Sequence, residues 1–190
     1  MVEIVQYETK WSLLYKLEKE KLYSTLKDFS LEIEHIGSTA VPQLAATPIV
    51  DVMIGVSRKE DMKEVIKILQ NESHIYVEET GVFILLKESV PTHHYPHRMT
   101  KKQEQLHVPI NVRRAHIYVT VLHSSYWDER ISFRDYLRKN AMSKNQYAKV
   151  KKELSSKFWN DIEKYTHKKE VYIEQFLKGV RLQMIGSMYG

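Results

Sequence analysis

The chain contains no cysteine. Disulfides, thiolate zinc sites and cysteine nucleophiles are therefore excluded together. No run comes near the roughly 18 apolar residues of a membrane-spanning helix. The first ten residues carry Glu3 and Glu8 and hold no apolar core of signal-peptide length. A cytoplasmic protein with no membrane partner is expected. There is no internal repeat, low-complexity tract or Gly/Ser-rich linker. Walker, Gly-x-Gly-x-x-Gly and Gly-x-Ser-x-Gly sequences are also missing, so P-loop, dinucleotide-binding and hydrolase readings have no support.

What is present is ordinary for a folded domain. The 190 residues are 43% hydrophobic and 28% charged, long enough for one domain with a sizeable core. The formal charge is +5 and the pI near 9.1. So mild a charge favours acidic ligands such as nucleotides. An ordinary basic surface accounts for it better than a nucleic-acid interface does.

Apolar periodicity sets out the chain. Trp11, Leu14, Leu17, Leu22 and Leu26 mark an amphipathic helix over 11–27. Strands are expected over 31–36 and 48–56, the second central because it is apolar on both faces. Ser57 is placed to cap a helix over 61–69. A hairpin follows, 74–77 with 81–87, turning at Glu78-Glu79-Thr80-Gly81. Residues 88–105 are polar, with two prolines and three histidines, and read as a long loop. Strands over 106–112 and 115–122 come next. Then come helices over 127–139, 143–165 and 168–184, with Ser124 or Ser125 capping the first of these and residues 186–190 fraying. The fold class is α/β (α+β): a mixed sheet within about 1–122, flanked by helices, and a helical part over about 124–184, all in one domain.

One stretch concentrates the chemistry. Asp51 interrupts the run Ile49-Val50-Asp51-Val52-Met53-Ile54, where a carboxylate is expensive to bury without a partner. Gly37-Ser38 ends the preceding strand. A glycine there allows close backbone approach, and amide and hydroxyl donors suit a phosphate. On the later strand, alternation puts His116, Tyr118 and Thr120 on one face. Arg134 and Arg138 lie one helical turn apart, with Asp128 and Asp135 near enough for plain surface pairing. Adjacent histidines in His93-His94-Tyr95-Pro96-His97 lack the preorganisation a metal site needs.

The segment IEHIGSTAVPQLAATPIVDVMIGV, residues 33–56, resembles the GrpB-like family. Weaker matches continue at 113–119, 133–138 and 147–151. That family occurs alone or fused behind dephospho-CoA kinase. The resemblance implies a nucleotidyltransferase-like fold, with Asp51 and His116 as catalytic residues and Asp51 as a ligand of Mg²⁺ or Mn²⁺. It implies phosphate or substrate contacts at Gly37, Ser38, Arg113, Arg134 and Lys151, with Glu34 and His35 in support. The partner would be a nucleotide or another phosphorylated small molecule, and the reaction nucleotidyl transfer to a small acceptor. The chain also departs from the usual pattern. Met53 holds the second carboxylate slot, a thioether being a poor ligand for a hard cation, and the later strand offers His116 and Tyr118 but no carboxylate. The alternative is a non-catalytic binding module that kept the pocket and lost the metal carboxylates.

Overall fold

A computed structural model describes residues 2–72 and 74–188, without the side chains of 180–188. The first helix, α1 (Lys10–Thr25), buries Trp11 and Leu22. It leads into β1 (Leu31–Ile36), a short 3₁₀ turn (Ser38–Ala40) and β2 (Val50–Val56). Next come α2 (Asp61–Gln70), β3 (Ile75–Val77), β4 (Val82–Leu86), β5 (Arg98–Met99), α3 (Lys101–His107) and β6 (Arg113–Val121). Three helices complete the chain: α4 (Ser125–Lys139), α5 (Ala141–Lys157) and α6 (Ile162–Met188). The six strands form one mixed sheet in the order β1-β2-β6-β4-β3-β5. Strand β2 pairs antiparallel with β1 and parallel with β6. This is the mixed α/β sheet, with flanking helices and a helical C-terminal part, that the sequence led us to expect.

The two faces of β2 do different work. Val50, Val52, Ile54 and Val56 point into the main core, against Trp11 and Leu22 of α1, Leu26 just past its end, and Val65 and Leu69 of α2. Burial of so many large apolar groups is the main force holding the sheet to these helices. The opposite face carries Asp51, Met53 and Gly55. Met53 packs with Ile36 and Trp127. A Cβ added at Gly55 would lie 2.6 Å from the Trp127 ring, so only glycine lets α4 sit this close. A second apolar cluster, with Val41, Leu44, Phe133, Leu137, Tyr147 and Ile173, ties α4, α5 and α6 to the loop after the 3₁₀ turn.

Four local expectations need correction. Ser57 caps no helix: its hydroxyl meets that of Ser30 at 2.9 Å, and α2 begins at Asp61 after Glu60. The long loop over 88–105 is structured. Thr100 and Gln103 form a reciprocal capping box that starts α3, a Thr-x-x-Gln signature with an established mechanism. The strand expected over 106–112 is instead the end of α3 and a 3₁₀ turn (Ile110–Val112), since Pro109 has no N–H to donate to a ladder. The break between the last two helices falls at 158–161, not near 166. Asp161 accepts a hydrogen bond from the Lys164 backbone N–H at 3.0 Å and starts α6 there. Ser124 does cap α4, accepting from Trp127 N–H at 3.3 Å. Helix α6 continues through 186–188, where fraying was expected, and the last two of those residues, 189 and 190, lie outside the described residues.

Candidate functional site

Sheet register brings the polar residues together. Asp51 lies directly beside His116 across the β2–β6 pair, and Met53 beside Tyr118. Side chains of paired residues share a face, so Asp51, His116 and Tyr118 open on the same side. The Tyr118 hydroxyl donates to Asp51 Oδ1 at 3.3 Å. His116 Nδ1 stands 3.4 Å from the same oxygen. Burial pushes the Asp51 carboxyl up, but His116, Lys169 and His35 outweigh it and hold the group below its usual range. The Tyr118 phenol moves the other way: burial and the Asp51 charge raise it well above its ordinary value, so it stays a donor.

The bend after β1 is pressed against this carboxylate. Gly37 has φ +72°, and a Cβ built on it would fall 2.2 Å from Asp51 Oδ2. Thr39 Oγ1 donates to the Ile49 carbonyl at 3.3 Å, pinning the 3₁₀ turn to the approach to β2. With its proton spent there, that hydroxyl accepts from His35 Nε2 at 3.0 Å.

Helices α4, α5 and α6 supply the other wall. Between them and the sheet lies a cleft of about 190 Å³, lined by Gly37, Ser38, Asp51, Arg113, His116, Tyr118, Arg130, Lys151, Lys169 and Glu170 among others. Arg130 pairs with Glu170 at 2.7 Å and lies over the Tyr126 ring at 4.8 Å. Lys151 and Lys169 each sit above a tyrosine four residues earlier, Tyr147 at 4.9 Å and Tyr165 at 5.7 Å. Two buried polar atoms of the lining, His116 Nε2 and Arg130 Nε, have no partner among the described residues. With Nδ1 turned to Asp51, His116 keeps Nε2 free.

Of the candidates named from sequence, Gly37, Ser38, Asp51, Arg113, His116 and Lys151 line the cleft; Glu34, His35 and Arg134 do not. Ser38 is no helix cap, since Gly37 holds that position and no side-chain bond is made there. The Arg113 guanidinium is already committed, donating to the Val108 carbonyl from Nε at 3.1 Å and pairing with Glu104. Arg134 binds Glu34, Asp135 at 2.8 Å and the His35 carbonyl at 3.0 Å. It clasps the end of β1 and contributes nothing to the lining of the cleft. Arg130 and Lys169 were not among the candidates, and Tyr118 was placed on the site face without a role. Lys169 was findable: it interrupts the inward stripe Ile162, Tyr165, Ile173, Leu177 of α6 and repeats the Tyr-x-x-x-Lys spacing of Tyr147 and Lys151.

His35 is buried on the opposite face, stacked on Tyr15 with centroids 4.7 Å apart. Burial lowers its pKa to about 4, against the pull of Asp51. The unfolded chain, with an ordinary histidine, binds more protons between the two values, so stability falls as pH drops from about 6.5 to about 4. Over that window His35 costs roughly 3 kcal/mol. Urea denaturation at the two ends should show His35→Phe losing less stability than the wild type on acidification; parallel losses would place the acid sensitivity elsewhere.

A carboxylate-held metal does not fit this donor set. Met53 fills the second slot and is fully buried. Glu34, across from Met53 in register, is bound to Arg134, and Glu170 to Arg130. Among the described residues no group of three or more His, Asp or Glu is placed to hold an ion. No described helix is long and apolar enough to cross a membrane.

Fold and site thus define an α/β protein with a mixed sheet and a helix-walled cleft whose two carboxylates are Asp51 and the Arg130-paired Glu170. The chain belongs to the GrpB family, matching the GrpB protein over residues 1–179. A glutamate-rich protein GrpB of Alkalihalophilus pseudofirmus is 30% identical over 93% of this chain and 94% of its own length. The crystal structure of conserved protein GrpB from Enterococcus faecalis superposes with a TM-score of 0.70 at 25% identity, covering 93% of this chain and 96% of that one. A weaker likeness, TM-score 0.49 at 13% identity over 80% of this chain and 41% of the other, is to Cid1, an RNA terminal uridylyl transferase; it is too slight to carry an argument about substrate.

Proposed function

We propose that this protein is a binding module for a small phosphorylated metabolite, seated between the sheet and the C-terminal helices. The observation that carries the reading is the lining itself. Lys169 and Ser38 face an acceptor–donor set of Asp51 and His116, with His116 Nε2 and Arg130 Nε left unpartnered. Buried polar atoms are ordinarily satisfied, and those that are not await a water or a ligand. The size supports a small ligand. About 190 Å³ lies below the roughly 300–1,000 Å³ of drug-sized pockets. In this arrangement the phosphoryl oxygens accept from Lys169, Ser38 and Arg130, while Asp51 accepts from a ligand hydroxyl.

Metal-dependent nucleotidyl transfer is the second reading. It draws on the family resemblance and on Asp51 standing in the first carboxylate slot.

Thermal unfolding separates the two. Ligand that binds only the folded state at 100 times its dissociation constant stabilises by about 2.7 kcal/mol, a midpoint shift of roughly 5–10 °C for a chain of this size. Glycerol 3-phosphate with a metal chelator present should give such a shift, and Lys169→Met should lose most of it. A shift seen only with a nucleoside triphosphate plus Mg²⁺ or Mn²⁺, and abolished by Asp51→Asn, would replace the binding module with the transferase.

A further inference from the structure

Lys151 is left over by the phosphate-binding role. Its side chain is 1% exposed, yet it lines the cleft. Its amine donates to the Ala45 carbonyl and lies over the Tyr147 ring. None of the ion pairs among the described residues includes it, while Lys169, a second cation, lines the same small cleft. An ammonium buried without a carboxylate is costly, and a like charge adds to the cost. Desolvation next to another cation is the setting in which a lysine becomes a neutral nucleophile.

We propose that Lys151 is an amine nucleophile that condenses with the carbonyl of a phosphorylated aldehyde or ketone bound in the cleft. This rests on the phosphate reading above and narrows its ligand class to phosphorylated carbonyl compounds. In the step, Nζ adds its lone pair to the carbonyl carbon and forms a C–N bond. The amine's two protons and the carbonyl oxygen then leave as water, giving an imine with no external oxidant or reductant. Burial and Lys169 lower the Lys151 pKa to about 7, against Asp51, so half of the amine is reactive at neutral pH.

Reductive trapping tests this on the full chain. Glyceraldehyde 3-phosphate and sodium cyanoborohydride, which delivers hydride to the imine, should leave a stable secondary amine on Lys151 found by peptide mass mapping. An ordinary lysine at pH 7 is neutral in only about one molecule in a few thousand. Labelling of Lys151 should therefore exceed that of exposed lysines by on the order of a hundredfold or more, with a rate–pH midpoint near 7. Glycerol 3-phosphate, which has no carbonyl, should block it. Labelling spread over surface lysines with Lys151 spared, while glycerol 3-phosphate still stabilises the fold, overturns the inference and keeps the phosphate reading. Lys151 would then be a buttress for the Ala45 carbonyl. Acetaldehyde labelling of Lys151 as fast as the phosphorylated probe would keep the amine and remove the phosphate reading.

Discussion

Gly37→Ala is expected to abolish ligand stabilisation and to cost on the order of 4 kcal/mol of folding stability, the sum of about 1–3 each from backbone strain and overpacking. The two penalties are separate. At φ +72° and ψ −171° the backbone of Gly37 occupies a region that residues with a Cβ seldom enter. The new methyl would also fall 2.2 Å from Asp51 Oδ2 and 3.0 Å from its Cγ. These atoms cannot retreat freely, since Tyr118 donates to the other carboxylate oxygen and His116 stands beside it. Either the bend opens or the carboxylate swings out of the cleft, and each route destroys the juxtaposition on which binding depends. Chemical denaturation measures the first loss and ligand-induced thermal shift the second. An alanine variant of full stability and full ligand response would mean that bend and carboxylate are not coupled.

The same contact explains what could be read in advance. The central place of β2, its two-faced burial and the pairing of a Gly-Ser bend with a lone carboxylate all follow from local pattern: alternation along strands, and one charged residue in an apolar run. What the sequence hid was long-range. Nothing in the spacing of Arg134 and Arg138 says that one reaches back a hundred residues to Glu34 and the other to the Ala40 carbonyl. Two arginines one helical turn apart look the same whether they hold a phosphate or tie down a strand end. The C-terminal helices were legible as helices, but their phase against the sheet was not. Arg130 and Lys169 therefore entered the cleft unannounced, while Lys151, named from sequence, lines the cleft with its amine bonded to a carbonyl oxygen of the 41–46 loop, a contact no spacing could show. Misplaced boundaries had a common cause as well. Thr100, Pro109 and Asp161 are single-residue signals, outweighed by the pattern of the longer stretch around each: polar over 88–105, strand-like over 106–112 and helical over 143–165.

Arg134→Met should destabilise the fold by about 3–5 kcal/mol, the usual cost of leaving one half of a buried pair, while the folded fraction keeps its response to glycerol 3-phosphate. The guanidinium is 9% exposed and joins three acceptors: Glu34 on β1, the His35 carbonyl and Asp135 on its own helix. Methionine has similar length and supplies the packing but none of the donors. Glu34 is then left a third exposed beside Met53 without its hydrogen-bonded guanidinium, and the His35 carbonyl loses its donor. Part of this penalty belongs to the stranded carboxylate, so Glu34→Gln combined with Arg134→Met should recover stability relative to Arg134→Met alone. Such non-additivity is what directly coupled partners show. A phosphate-binding Arg134 would give the reverse pattern: near-normal unfolding, no recovery in the double variant, and a ligand shift lost outright. The distinction matters because arginine alone cannot report its role. Position relative to the cleft does, and Arg134 is not among the residues that line it.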